Sequence, residues 1–211
     1  MIESLNQPYF QQKPIQKPTI DLRVPYYHVI TPNDDRLLDA SNRLDPHPNQ
    51  KFSWGDDCIV DKKRYYECEM TPSYLFWMRK FMFECNISLD LRISDIWKCT
   101  YGNGSFQEPH DHPGCDIVSV IFLDDPSHKG GEFYFENYNG QTPHVVQYKK
   151  GDMIVFSPKM IHGVTPLKLS IFDQIRKKRR RTVSINADIA SWGPWQGSVN
   201  EELYNEQLAN A

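Results

Sequence analysis

The sequence predicts a mainly β fold with helices packed on its N-terminal side. Three observations predict it. From about residue 91 the chain breaks into short strand-like runs of β-branched and aromatic residues. Gly and Asn punctuate those runs, in Gly102-Asn103-Gly104, Gly130-Gly131, Asn139-Gly140 and Lys150-Gly151-Asp152. Helical periodicity is confined to the first 90 residues and the last ten. Strands at this spacing argue for a sandwich or barrel.

Each element has its own reason. Residues 1–25 carry Pro8, Pro14, Pro18 and Pro25 and read as an extended arm with an edge strand near Ile20–Val24. Thr31 as cap, with Pro32 in the first turn, predicts a helix containing Leu37, Leu38 and Leu44. Residues 45–57 read as loop. Thr71-Pro72-Ser73 opens a stronger helix, on which Leu75, Met78, Met82 and Cys85 recur at three and four and Tyr74, Trp77 and Phe81 widen the stripe. That stripe reads as core laid on a sheet. The predicted strands are Leu91–Tyr101, Ile117–Leu123, Glu132–Glu136, Val145–Tyr148, Met153–Phe156 and Thr182–Asn186. Residues 191–211 predict a Trp-bearing loop and a short helix, Glu201 to Leu208. The expected organisation is one compact domain: arm and supporting helices over 1–90, β core over 91–190, C-terminal loop and helix over 191–211.

Bulk properties narrow the class. The 211 residues suffice for one domain with a sizeable core. A formal charge of -3 gives no general attraction to nucleic acid. The basic block Arg176 to Arg181 reads as a solvated loop, with a nucleic-acid contact through residues 176–181 as the alternative. Five cysteines, an odd number with no C-x-x-C, argue against a disulfide framework. Met1–Gln12 lacks an apolar signal region, and no run reaches the roughly 18 apolar residues of a membrane span. The expectation is an intracellular, cytoplasmic protein.

The chemistry-bearing residues come in a fixed order. His110 and His112 sit two apart, and on a strand that spacing puts both on one face. His162 lies about fifty residues on, after a strand. Imidazole nitrogens suit iron, zinc or copper. In Arg180-Arg181-Thr182-Val183-Ser184-Ile185-Asn186, Val183 and Ile185 form an apolar face, while Thr182, Ser184 and Asn186 form a small polar one. Arg180 shares the polar face by parity, which favours it over Arg181 as an inward clamp on a carboxylate. Register at a strand end leaves Arg181 as the rival.

Residues 97–186 resemble the Fe(II)/2-oxoglutarate-dependent dioxygenases of the prolyl hydroxylase type. The resemblance rests on Tyr101-Gly102-Asn103-Gly104, Pro109-His110, the run Ile117–Leu123 with Asp124-Asp125, Gly130-Gly131-Glu132-Phe133, Gly151-Asp152 with Phe156, His162 with Val164 and Pro166, and the Arg strand. His110 through Phe122 also resembles a branch, often found in phage and marine bacterial genomes, where His-x-His-Pro-Gly precedes the strand. The resemblance implies a double-stranded β-helix (jelly-roll) core and an Fe(II)- and 2-oxoglutarate-dependent hydroxylase. It implies O2 as co-reactant, and oxidative decarboxylation to succinate and CO2 coupled to hydroxylation of a C–H bond. It makes His110 and His162 iron ligands, Arg180 the partner of the distal carboxylate, and Tyr101 part of the cosubstrate pocket, with Arg181, Ser184 and Asn186 as further cosubstrate contacts. Phe122 falls where such enzymes often carry a Tyr.

One departure matters. The family usually has His-x-Asp, and here the second ligand position holds His112. Three ligand sets stay open: His110, His112 and His162 together; a carboxylate from Asp116 or Asp111; or a position left to water or a register starting at His112. The substrate is a protein residue, a prolyl among them, or a small molecule. The alternatives are a cupin-like all-His metalloenzyme that does not use 2-oxoglutarate, and a non-catalytic jelly-roll binding protein.

Overall fold

A computed structural model describes residues 22, 24–44, 69–87, 89–126, 129–140 and 142–192, together with the backbone of 51–53 and 59–63. Two antiparallel sheets face each other. The larger runs β1-β9-β6-β11-β4-β3-β2 and the smaller β5-β10-β7-β8. In the larger sheet are β1 (Tyr27–Ile30), β2 (Lys51–Ser53), β3 (Ile59–Lys63), β4 (Leu89–Tyr101), β6 (Ile117–Phe122), β9 (Met153–Phe156) and β11 (Arg180–Trp192). In the smaller are β5 (Gln107–His110), β7 (Phe133–Phe135), β8 (His144–Val145) and β10 (His162–Val164). From β4 to β11 the chain crosses between sheets so that β4, β6, β9 and β11 lie opposite β5, β7, β8 and β10. That winding is the double-stranded β-helix expected from the sequence.

Among the described residues three helices flank the sheets: α1 (Asp35–Asn42), α2 (Thr71–Glu84) and the short α3 (Ile171–Ile175). The two faces of the larger sheet carry two cores. On the outer face Tyr74, Met78, Phe81 and Met82 of α2 pack with Ile93, Ile121, Val183 and Ile185. Between the sheets Phe122, Phe133, Phe135, Val146, Phe156 and Val164 form the second. β6 is buried at all six positions, as a strand covered on both faces must be. Its Ser119 is satisfied, with Oγ 3.1 Å from the Tyr74 hydroxyl. Each fully buried apolar side chain contributes about 1.5–3 kcal/mol.

Several expected boundaries shift. α1 starts at Asp35, and Asp34 is its cap, accepting from the Arg36 and Leu37 N–H groups. Thr31 donates instead to Asp152, at 2.7 Å, tying the chain before α1 to the turn before β9. β11 is 13 residues long rather than five, because β4 offers a partner along its whole length. β8 stops at Val145, short of Tyr148. β1, β2, β3, β10 and α3 had no sequence prediction, β2 lies in residues expected as loop (45–57), and β5 covers His110 but not His112. They are short, and β5 and β10 are held by pairing rather than by propensity. The expected strand Ile20–Val24 lies mostly outside the described residues, where β1 serves as the edge strand. The helix Glu201 to Leu208 and residues 193–211 lie outside them too. Among the described residues no helix is long and apolar enough to cross a membrane.

Gly163 marks the tightest crossing in the smaller sheet. A methyl there would meet the Gln107 carbonyl at 2.9 Å and the Tyr134 hydroxyl at 2.8 Å. Gly163→Ala is therefore expected to cost about 1–3 kcal/mol through overpacking. Chemical denaturation of the two proteins checks this, and an unchanged midpoint would show that β10 can shift.

Candidate metal and anion site

Sheet register brings the histidines together. β5 and β10 pair so that His110 and His162 are Cα partners, and His162 also pairs with Phe135 on β7. β5 ends at His110, so His112 does not share a strand face with it, contrary to expectation. His112 sits in the connection after β5, just before the Pro113–Gly114 turn, its N–H bonded to the Pro158 carbonyl at 3.0 Å. Its ring stacks on Trp97 with centroids 5.7 Å apart. Ring centroids lie 4.4 Å apart for His110–His162, 5.1 Å for His110–His112 and 5.0 Å for His112–His162. A ligand atom from each of the three lies within 4.8 Å of the others.

Hydrogen bonds fix which nitrogens face inward. His110 Nδ1 lies 2.7 Å from the Glu108 carbonyl and His162 Nδ1 lies 3.0 Å from the Met160 carbonyl. A carbonyl only accepts, so both Nδ1 atoms carry the proton and both Nε2 atoms present lone pairs. His112 Nε2 and His162 Nε2 are 3.3 Å apart. Two nitrogens at about 2.1 Å from one ion, at a right angle, would be about 3 Å apart. The His112–His162 pair therefore stands close to the spacing that a first-row divalent ion needs, with a ligand atom of His110 within 4.8 Å of both. Burial pushes the His162 imidazolium down to about 3, and the charges of His110 and His112 push the same way against the raising effect of the Met160 carbonyl. At neutral pH its lone pair is available.

The carboxylate alternatives lie elsewhere. Asp116 accepts the Ile189 N–H at 2.8 Å and is not part of the cluster. Asp111 is exposed.

The basic pair divides. Arg181 points out of the sandwich and binds Asp124 with both arms, Nε to Oδ2 at 2.9 Å and Nη2 to Oδ1 at 2.7 Å, with Nη1 on Asn42. Arg180 points in and is 3% exposed. Its Nε donates to the Tyr148 hydroxyl at 3.0 Å. Its Nη1 and Nη2 are buried without a hydrogen-bond partner. The guanidinium carbon lies 5.0 Å from the Tyr101 ring and under 6 Å from Phe122 and Tyr148. Burial opposes its charge, but Tyr148 and Tyr101 outweigh that and its pKa is raised. Among the described residues no carboxylate pairs with it, so a full positive charge faces a closed space with its fork open.

That space is shared with the histidines. A tight cavity of about 10 Å³ is lined by Tyr101, Gln107, His112, His162, Arg180, Thr182 and Ser184, with Val120, Phe133 and Val164 as apolar walls. That is about the room of one water, far below the roughly 300–1,000 Å³ of ligand pockets. Asn186, expected beside Ser184, is outside the lining, and its Oδ1 is buried without a partner. The turn Gly102–Gly104 packs against the chain after β10: Gly104 N–H bonds Leu167 O and Asn103 Oδ1 accepts from Leu169.

Two residues escaped the sequence reading. Tyr148 stacks on Phe122, centroids 3.6 Å apart and planes 9° apart, and its hydroxyl meets Arg180. It thus brings a hydroxyl to the wall where Phe122 lacks one. The alternation of buried Val146 and Tyr148 was a usable signal. Gln107 was the other, three residues before His110 at the start of β5.

No family model matches the sequence, and no curated protein does. Solved structures do match. An oxidoreductase of the 2OG-Fe(II) oxygenase family from Burkholderia pseudomallei is 17% identical, with TM-score 0.54, over 76% of this chain and 80% of that one. A prolyl-4-hydroxylase from Pseudomonas putida is 17% identical, with TM-score 0.52, over 81% and 96%. The non-heme alpha ketoglutarate dependent epimerase SnoN from nogalamycin biosynthesis is 14% identical, with TM-score 0.59, over 82% of both chains. This chain shares their fold.

Two outcomes follow from the geometry. With a folded-state pKa near 3 against 6.5 unfolded, His162 contributes stability that is present above about pH 6.5 and lost as pH falls toward 3. Metal-free protein should lose a few kcal/mol across that window, and His162→Phe should flatten the slope in acid-denaturation curves. Arg181→Ala should cost about 1 kcal/mol, a figure trimmed for its partial exposure. Arg180→Met should be neutral or stabilising, because it removes a buried unpaired charge. Thermal unfolding of both variants separates these effects.

Proposed function

We propose that this chain is an Fe(II)-dependent oxygenase that uses 2-oxoglutarate to hydroxylate a C–H bond. The observation that carries the reading is the buried Arg180 fork, open toward a small cavity that also receives two of the three imidazoles. A guanidinium held dry without a counterion is a site for an anion, and its planar fork matches a carboxylate. The histidines lie in the same cavity, so the ligand that pairs with Arg180 reaches toward them. A diacid with a metal-binding end meets both demands.

His110, His112 and His162 would hold the ion, which, when bound, supplies the redox chemistry that activates O2. The chain does the rest. Arg180 orients the distal carboxylate, and the Tyr148 hydroxyl fixes the tilt of Arg180 through Nε. Phe133, Phe156 and Val120 keep water from the reacting end. Trp97 holds the His112 ring in plane. The Glu108 and Met160 carbonyls keep the His110 and His162 protons on Nδ1, leaving Nε2 free for the ion.

The fold does not select the substrate, since relatives in shape include a prolyl-4-hydroxylase and an epimerase. A protein residue or a small molecule is the substrate class. The all-imidazole donor set also favours a second reading, a cupin-like metalloenzyme without 2-oxoglutarate.

Incubation of protein, Fe(II) and labelled 2-oxoglutarate separates the two. Succinate release is the expected result, and its absence with iron bound at one per chain would favour the second. Arg180→Ala should raise the 2-oxoglutarate requirement by at least tenfold, while Arg181→Ala should leave it nearly unchanged. His162→Ala should abolish iron retention in anaerobic metal analysis.

A further inference from the structure

Gln107 lines the cavity, and its hydrogen bonds follow from the His110 tautomer that the Glu108 carbonyl selects. His110 Nδ1 donates to the Glu108 carbonyl, so His110 Nε2 is an acceptor. The Gln107 atom 3.2 Å from that Nε2 must therefore be the amide nitrogen. Its Oε1 then faces Tyr101, whose hydroxyl donates to it at 3.0 Å. Tyr101 in turn lies under Arg180. Gln107 is 6% exposed, and it lines the cavity.

This arrangement changes when the His110 lone pair is taken by an ion. The amide N–H then loses its acceptor, while Tyr101 still holds the other side of the carboxamide. A buried donor left unpaired costs free energy, so a new acceptor inside the cavity is favoured. The lining offers the amide nitrogen no carboxylate.

Resting on the reading of the site as a 2-oxoglutarate pocket, we propose that Gln107 is a specificity residue for the cosubstrate. Its amide N–H donates to the C1 carboxylate, at the end of the molecule opposite Arg180. Two groups then measure the diacid: Arg180 reads the distal carboxylate and Gln107 the proximal one. Tyr101 is the positioning residue that keeps the amide turned inward. No ligand carboxylate stands at this site to contribute negative charge, so a charge-assisted hydrogen bond at the proximal end costs nothing in repulsion.

The test is calorimetric binding to anaerobic Mn(II)-loaded full-length protein, with no turnover required. The ligands are 2-oxoglutarate and 2-oxopentanoate, which keeps the keto-acid end and lacks the distal carboxylate. Gln107→Leu should weaken both by the same factor, about tenfold or more for one charge-assisted bond. Arg180→Met should weaken 2-oxoglutarate only. Tyr101→Phe, which leaves the amide in place but unanchored, should reproduce the Gln107→Leu pattern at smaller size, and it keeps the test open if the Leu variant does not fold. Mn(II) uptake in Gln107→Leu should be undiminished, since the variant removes a competitor for His110. Equal 2-oxoglutarate affinity in wild type and Gln107→Leu overturns the assignment, as does a loss confined to 2-oxoglutarate. If wild-type protein binds Mn(II) but neither keto acid, the 2-oxoglutarate reading itself fails.

Discussion

The pairing of β5 with β10 is the constraint on which the site depends. It sets His110 opposite His162 as Cα partners across an antiparallel ladder. Opposed residues in such a ladder have Cα atoms about 4.5–5.5 Å apart, so two imidazoles more than fifty residues apart in sequence meet without any long side-chain reach. β10 has only three residues, and β7 braces it on the other side. Gly163 lets that three-strand layer close, because any side chain there would strike β5 backbone. His112 enters from the connection after β5 and is positioned by Trp97 and by a backbone bond to Pro158. The third imidazole is thus held by packing, whereas the first two are held by register.

A second constraint operates at the far end of the cavity. β11 separates two environments with its two faces. Val183 and Ile185 join the core beneath α2, while Arg180, Thr182 and Ser184 face the smaller sheet. A shift of one residue would send Arg181 inward and expose both apolar side chains to the cavity. The bidentate bond from Arg181 to Asp124 opposes that shift. The outer arginine therefore acts on the inner one through register alone.

Much of this was legible in the sequence, for physical reasons. Fully buried apolar strands such as β6 and β9 are readable because burial on both faces demands continuous hydrophobicity. The alternation in 180–186 told the two arginines apart because the pleat has a period of two. Short strands were not legible. Gln107–His110 contains a proline and three charged or polar residues, and only its pairing with β10 makes it a strand. The same lack hid the true position of His112, which was expected on a strand and lies in the connection after β5. The cap of α1 was misplaced by three residues, because Thr31 had a tertiary partner, Asp152, that local pattern does not reveal. Tyr148 and Gln107 were missed because each matters through a hydrogen bond to a residue distant in the fold or hidden in the pleat.

The neutrality of the donor set has a further consequence. Three uncharged rings offset none of a divalent ion's charge, and Arg180 adds one more positive unit to the same small space. Such an enclosure ranks small molecules by valence before it ranks them by shape. Every short dicarboxylate benefits alike, including one that has already lost carbon dioxide. On the proposed reading, discrimination between starting material and spent product would fall to uncharged donors, and departure of the spent dianion would be the natural bottleneck of a turnover cycle.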